Sequence, residues 1–499
     1  MLDALPAARS RRRCARIAVL AVVVLLIGLR SHPTLGESVS ARLERLLTHL
    51  PQPAVRCSAL IVDLETGTAL CSVNATDALV PASNAKLFPL AAAVDQLGPD
   101  FGFRTVLAFR DADLVLIGDG DPAFGDVDIA KLGGGSVEAM ADRWARALSG
   151  AGRTHFDGDL IVDESIFDAQ WVHPSWEAAD LKKWFAAPVG ALNYNDNCVE
   201  VTIWPGTSPD DGPRWSAVPN TAAIEVVFRN RPRYNGKPVI DRPGAELRFV
   251  VTGRPTKRWT FGPVSAPDPG MLAAHAVRSA LASRGIHIAG SIVRRRVRRR
   301  DGTLPEDCRV VADHITPLAA VLARTGKNSQ NLFAECLTKR LGYEWARRRG
   351  RPDPQGTWAN GSAALAAFLS TCRPRSTGAR LVDGSGLSRD NRASAADFVA
   401  VLETMHRHQH RQLFVDSLAI AGRDGSLRKR MRDLPGTVYA KTGYLRGIRT
   451  LSGYVVTPQG RWRAFSVLFN GIKGGTAAFN DLHDKVCRIL MEDGASEQP

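Results

Sequence analysis

The first feature of the hydrophobic pattern is an unbroken apolar run, Ile17 to Leu29, set between an arginine-rich start and polar residues. At thirteen residues it is short for a bilayer span and has the make-up of an export leader, so residues 1–36 are expected to form a signal peptide or signal anchor. Cleavage is expected near Thr34-Leu35-Gly36 or Ser38-Val39-Ser40, and an uncleaved leader would hold the chain at a membrane. Val39, Leu43, Leu46, Leu47 and Leu50 then recur at helical spacing. The period shifts to that of strands at Ser58–Val62 and Thr68–Val73, and the turn Glu65-Thr66-Gly67 between them predicts a hairpin. From Ser83 to Leu97 alanine and leucine dominate, which predicts a buried helix with Ser83 at its start and a kink at Pro89.

Residues 101–300 break into short strands and Pro/Gly turns and read as inserted material. Val137–Leu148 predicts a helix there, Leu160–Val162 a strand, and about 198–262 a small β-rich subdomain. A further helix starts at Asp268-Pro269 and ends near Gly285. Helical spacing returns over Pro317–Leu341, Ser362–Leu369 and Ala395–Met405. Thr437–Ala440, Arg449–Val456 and Trp462–Phe469 predict successive strands, and Phe479, Leu482, Val486, Ile489 and Leu490 a closing amphipathic helix. Strands from both chain ends with helices between them give an α+β body, discontinuous over 37–100 and 301–495, interrupted by the insertion at 101–300.

Composition adds scale and surroundings. With 499 residues, 44% of them hydrophobic, the chain has material for more than one core. The formal charge of +15 suits an anionic setting such as wall polymer, a membrane face or nucleic acid, and an export leader speaks against nucleic acid. Arg294 to Arg300 is arginine at every position but Val297, a run that reads as a polyanion grip or as a solvated junction between domains. Beyond the leader stand Cys57, Cys71, Cys198, Cys308, Cys336, Cys372 and Cys487, an odd set without C-x-x-C spacing. Cys57 and Cys71 flank the hairpin and could bridge in an oxidising compartment, or remain buried thiols. His406 and His410 have the spacing of a helical metal pair, but a solvated helix end accounts for them more simply. Nothing in the pattern sets an oligomeric state.

Three short elements carry chemistry: Ser83-Asn84-Ala85-Lys86, Ser329-Gln330-Asn331 and Lys441-Thr442-Gly443. Serine and lysine three apart on a helix share a face, so the amine can take the hydroxyl proton once burial or a neighbouring cation lowers its pKa. Lys441 is the expected cation. A helix start at Ser83 aims backbone N–H groups at a developing oxyanion. Ser329 and Asn331, in a loop before a helix, offer a proton-relaying hydroxyl and an amide that both donates and accepts. Lys441 and Thr442, on a strand where Gly443 admits a substrate backbone, offer a charge and a hydroxyl to a small carboxylate. No metal or organic cofactor is called for.

In these residues the chain resembles the penicillin-binding proteins and serine β-lactamases, whose S-x-x-K, S-x-N and K-T-G motifs occur in this order. Nearly half the chain separates Ser83 from Ser329, a layout similar to the class C low-molecular-mass penicillin-binding proteins, the D-alanyl-D-alanine carboxypeptidase/endopeptidase family. The stretches 116–122, 191–197, 383–389 and 421–428 agree. The resemblance implies a transpeptidase-like fold, peptidoglycan stem peptides as substrate, covalent inhibition by β-lactams, and action in the periplasm or cell envelope. It implies Ser83 as acylated nucleophile, Lys86 as base, Ser329 and Asn331 in proton relay and amide binding, and Lys441 and Thr442 on the terminal carboxylate. The Ser83 and Tyr444 N–H groups would form the oxyanion hole. Gln330 departs from the common aspartate. A β-lactamase or esterase, and a non-catalytic wall-binding scaffold, are the alternative readings.

Overall fold

The computed structural model describes residues 37–132, 134–207, 211–229, 237–374 and 378–492. The leader, its Thr34-Leu35-Gly36 site and Cys14 lie outside the described residues. The amphipathic start is helix α1 (Val39–Thr48), with Ser38 capping it by accepting from Ala41 N. The hairpin is β1 (Arg56–Asp63) and β2 (Ala69–Val73). After it come helices α2 (Leu87–Gln96), α3 (Leu318–Lys327), α4 (Asn331–Arg348) and α5 (Ala395–Arg407). Strands β3 (Ala419–Ile420), β4 (Val438–Leu445), β5 (Ile448–Val456) and β6 (Trp462–Asn470) and helix α6 (Ala477–Glu492) close the chain.

The six strands form one antiparallel sheet in the order β3-β4-β5-β6-β1-β2, so the two chain ends meet at the β6–β1 pairing, Arg56 opposite Asn470. Both faces of this sheet are covered, which is why β1 is buried without alternation from Cys57 to Asp63. Leu60 and Val62 point to a core shared with α2, α4 and α5, while Cys57, Ala59 and Ile61 point to one shared with α1 and α6. Leu87, Phe88, Leu90 and Val94 of α2 are fully buried, each worth roughly 1.5–3 kcal/mol against exposure.

Several expectations are corrected. The helix from Ser83 is a 3₁₀ turn, Ala82–Lys86, followed by α2. Pro89 lies in the first turn of α2, where the backbone donors lack intrahelical acceptors in any case, and it causes no kink. Of the two states left open for Cys57 and Cys71, both are buried free thiols, because the hairpin register sets Cys71 opposite Ile61 rather than opposite Cys57. His406 is half-buried, its ring 5.5 Å from that of Trp462, and the described residues contain no group of three or more metal-ligating side chains there or elsewhere. No helix among the described residues is long and apolar enough to cross a membrane.

The chain between α2 and α3 builds a five-stranded mixed sheet in the order 292–294, 160–163, 113–117, 102–110, 309–317. Its last strand, Arg309–Pro317, lies beyond residue 300, so this sheet ends only where α3 begins. Helices Val137–Gly150 and Pro269–Ala282 bury Trp144, Leu148, Ala273 and Val277 against it. Strand Cys198–Trp204, paired with Arg214–Val218, belongs to a separate small core with Phe249 and Val251.

Candidate active site

Ser83 is the second residue of the 3₁₀ turn. Residues three apart eclipse in such a turn, and Lys86 Nζ lies 3.1 Å from Ser83 Oγ. The turn is pinned to the sheet by β5: the Thr450 hydroxyl donates to the Pro81 carbonyl at 2.9 Å and Asn84 Nδ2 donates to Ser452 Oγ at 2.6 Å. Ala82 is held at φ +47°, a conformation that costs a non-glycine residue of order 1–3 kcal/mol and persists only where packing imposes it.

Lys86 is completely buried. Its Nζ also donates to Asn331 Oδ1 and to the Ser385 carbonyl, both at 2.7 Å. Burial pulls its pKa down to about 7, against the opposing pull of Glu335 and Asp383. Of the two expected causes, desolvation therefore activates this amine, and Lys441 does not. The like-charge effect appears on the other lysine: Lys441 is held well below the usual range by burial first and by Lys86 second.

Ser329 and Asn331 lie at the break between α3 and α4. Ser329 has φ +60°, Gln330 caps α4, and Asn331 is its first residue. Lys441 Nζ donates to Ser329 Oγ at 2.8 Å. Asn331 Nδ2 donates to the Phe185 carbonyl at 2.6 Å, and Gln330 Nε2 to Asp196 Oδ2 at 2.7 Å, so the inserted region grips the middle motif twice. Thr442 Oγ1 donates to Ser426 Oγ at 2.8 Å. Gly443 is packed so closely that a Cβ would overlap Thr450 Oγ1 and lie 3.0 Å from the Pro81 carbonyl. Tyr444 is exposed, with the Arg449 guanidinium 3.8 Å above its ring. Past Ala440, β4 has a strand neighbour on one side only among the described residues.

Hydrogen bonds thus join Ser83, Lys86 and Asn331 in one chain and Ser329 with Lys441 in another, while Gly443 abuts the serine turn. Sequence reasoning did not single out Glu335, and it took Asp383 and Ser385 only as part of the stretch 383–389, with no role at the site. Glu335, fully buried on α4, accepts from Ser385 N at 2.8 Å, Gly384 N at 3.0 Å and Trp358 Nε1 at 2.8 Å. Asp383 accepts from Gly386 N and Ser388 N at 2.8 and 2.7 Å. Together these carboxylates shape the loop whose Ser385 carbonyl holds Lys86. The available signal was a glutamate one turn after Asn331, followed at the same interval by Lys339, on one face of the helix.

Residues 39–492 match the D-Ala-D-Ala carboxypeptidase 3 (S13) family. The chain belongs to this family. It is 31% identical to the D-alanyl-D-alanine carboxypeptidase of Actinomadura sp. (strain R39), over 93% of this chain and 88% of that protein. It is 25% identical to the D-alanyl-D-alanine carboxypeptidase DacB of Haemophilus influenzae, over 85% and 86% of the two chains. The crystal structure of penicillin binding protein 4 from Haemophilus influenzae has the same fold, with a TM-score of 0.72 at 22% identity over 91% of this chain and 99% of that one. By class this S13 member is a serine D-Ala-D-Ala carboxypeptidase with the α+β penicillin-binding-protein fold.

Proposed function

We propose that this S13 enzyme hydrolyses the D-alanyl-D-alanine end of peptidoglycan stem peptides through an acyl-enzyme on Ser83. One observation carries the assignment of roles: a fully buried lysine with its pKa drawn to about 7 stands 3.1 Å from a serine hydroxyl. Near neutral pH a large fraction of Lys86 is uncharged, and its lone pair takes the Ser83 proton as Oγ attacks the carbonyl carbon of the penultimate residue. The peptide C–N bond then breaks, and the departing D-alanine amine receives a proton from Lys86 or from Ser329, whose oxygen accepts a hydrogen bond from Lys441 and regains its proton from that amine. Water attacks the ester with Lys86 again as base, which releases the shortened peptide and restores Ser83.

The unpaired side of β4 lets an extended substrate lie beside Lys441–Tyr444 as an added strand. There the Ser83 and Tyr444 N–H groups face the oxyanion, Lys441 and Thr442 the terminal carboxylate, and Asn331 the substrate amide. Residues 37–100 and 301–495 supply these groups, and the insertion at 101–300 shapes the cleft. Export through residues 1–36, followed by cleavage of that leader, places the enzyme at the cell envelope.

Penicillin is the direct probe. After incubation, mass spectrometry of a digest is expected to find one adduct, on the peptide containing Ser83, and Ser83→Ala is expected to lose both the adduct and D-alanine release. An adduct on another residue, or undiminished release by Ser83→Ala, would overturn the assignment. Rapid turnover of the adduct would make the enzyme a β-lactamase instead.

A further inference from the structure

The mechanism leaves unused the densest charge in the sequence. The fold brings the run Arg294–Arg300 beside a second one, Arg347-Arg348-Arg349 with Arg351, at the C-terminal end of α4. Arg296 joins the two, donating from Nη1 and Nη2 to both carboxylate oxygens of Asp353 at 3.0 and 2.8 Å. Arg296, Arg298, Arg299 and Arg300 also line one small cavity with Tyr343 and Ser165.

Structural duty accounts for some of these arginines and not for others. Arg294 pairs with Glu164 and Asp268, Arg295 with Asp113, and Arg347 with Glu344. Arg348 donates to the Gln96 carbonyl at 2.7 Å. Arg299 and Arg300 feel the charges of Asp301 and Asp353 without a close ion pair to either, Arg349 and Arg351 lie at the end of α4, and all four are exposed. Repulsion among clustered cations would favour dispersal, yet two of them are held in place: the guanidinium groups of Arg349 and Arg351 lie 4.5 and 5.7 Å from the centre of the Trp345 ring. Inside the adjoining cavity two buried polar atoms lack a hydrogen-bond partner, Ser165 Oγ and Arg298 Nε. That cavity is too small for a phosphate group, so a bound polyanion would lie on the exposed arginines outside it.

We propose that this double arginine cluster is a docking surface for a linear polymer of phosphodiesters in the cell envelope. Arginine forks match phosphate oxygens two at a time, as they do carboxylates, and a cluster of arginines without a lysine is the composition that phosphate recognition favours. A bilayer of anionic lipid offers the same headgroup chemistry, but no large exposed apolar side chain lies in 294–304 or 340–354 to enter it. The cluster stands at the far end of α4 from Asn331, about 27 Å away at 1.5 Å per residue, so a bound polymer leaves the serine cleft open. The enzyme would be held on the envelope while it works.

The test uses the leader-free chain with synthetic poly(glycerol phosphate) as probe, measured by surface plasmon resonance at low and moderate salt. The variant Arg299→Gln/Arg300→Gln/Arg349→Gln/Arg351→Gln is expected to bind roughly tenfold or more weakly and to lose most of the salt dependence. Its D-alanine release and melting temperature should stay at wild-type values. Undiminished polymer binding would overturn the proposal, and so would an equal loss in the control Arg45→Gln/Arg56→Gln/Arg248→Gln/Arg488→Gln. Binding to phosphatidylglycerol vesicles in preference to the polymer would overturn it in favour of a membrane surface. Because release of D-alanine is read separately, failure here is distinct from failure of the Ser83 assignment.

Discussion

Replacing Glu335 by glutamine tests whether a residue that touches no substrate sets the base. The wild-type carboxylate uses both oxygens as acceptors for three donors, Ser385 N, Gly384 N and Trp358 Nε1. An amide has one acceptor oxygen. In its better orientation it keeps Gly384 and Trp358 and turns its NH₂ toward the Ser385 N–H, leaving that donor orphaned and two charge-assisted bonds reduced to neutral ones. The loss amounts to roughly 2–4 kcal/mol of stability, with the alanine variant falling further, by roughly 3–5 kcal/mol. Catalysis changes in a direction that stability alone does not predict. Glu335 raises the Lys86 pKa, so removing its charge lowers that pKa further below the wild-type value of about 7, by a shift limited because burial and Asp383 push the Glu335 pKa itself up to about 7. Acylation needs the unprotonated amine, and its rate climbs with pH through that pKa. The acid limb for Glu335→Gln should therefore move to lower pH, while the plateau drops roughly 10–100-fold as the Ser385 carbonyl loses its fixed position. A fluorescent penicillin, followed from about pH 5 to about pH 9 on both proteins, reads limb and plateau together. An unmoved or raised limb would refute the electrostatic reasoning, even if the melting temperature fell as expected.

The same geometry constrains other variants. Lys86→Arg keeps a permanent charge where a neutral base is required, so acylation should fall at least ~10³-fold while the near-ultraviolet circular dichroism stays native; residual rates near wild type would remove Lys86 as base. Gly443→Ala should cost roughly 1–3 kcal/mol and slow acylation sharply, since the added methyl displaces Thr450 and with it the Pro81 anchor of the serine turn; an unchanged chemical denaturation midpoint would count against that packing. Cys57 and Cys71 should resist a thiol reagent in the native protein and react after unfolding without reductant, as buried free thiols with pKa values pushed up to about 12 and about 11. A need for reductant would reveal a disulfide.

Local pattern carried much of this fold to the reader of the sequence. The hairpin at 56–73, the helices around residues 140, 275 and 400 and the last three strands lie where periodicity put them, because each buries one face against a nearby layer. The serine turn did not follow periodicity. Alanine and leucine favour an α-helix over 83–97, but Thr450 and Ser452 on a strand far along the chain hold its first four residues in a tighter winding. Burial was an expected cause of the Lys86 shift, but that it acts without help from Lys441 was hidden, since desolvation depends on what surrounds a side chain and no spacing rule reports it. The motif order gave Lys86 and Lys441 as partners, whereas their nearest polar neighbours are Asn331 with Ser385 and Ser329 with the Thr442 carbonyl.

One stripe on α4 links these layers. Asn331, Glu335 and Lys339 follow at intervals of four and are all buried on a single face. The first accepts from Lys86, the second fixes the loop that holds Lys86, and the third donates to Asp168 at 2.7 Å within the inserted region. Arg340, the next residue, reaches Asp119 of that region at 3.1 Å. Helix α4 therefore connects the base of the reaction rigidly to the insertion, and Gln330 and Asn331 add their own bonds to Asp196 and Phe185. Deleting the insertion would not leave a smaller working enzyme. It would strip the acceptors from Asn331 Nδ2 and Lys339 Nζ at once, exposing a buried ammonium and freeing the amide that orients the base. The long gap between the first two motifs is thus part of how the site is held together.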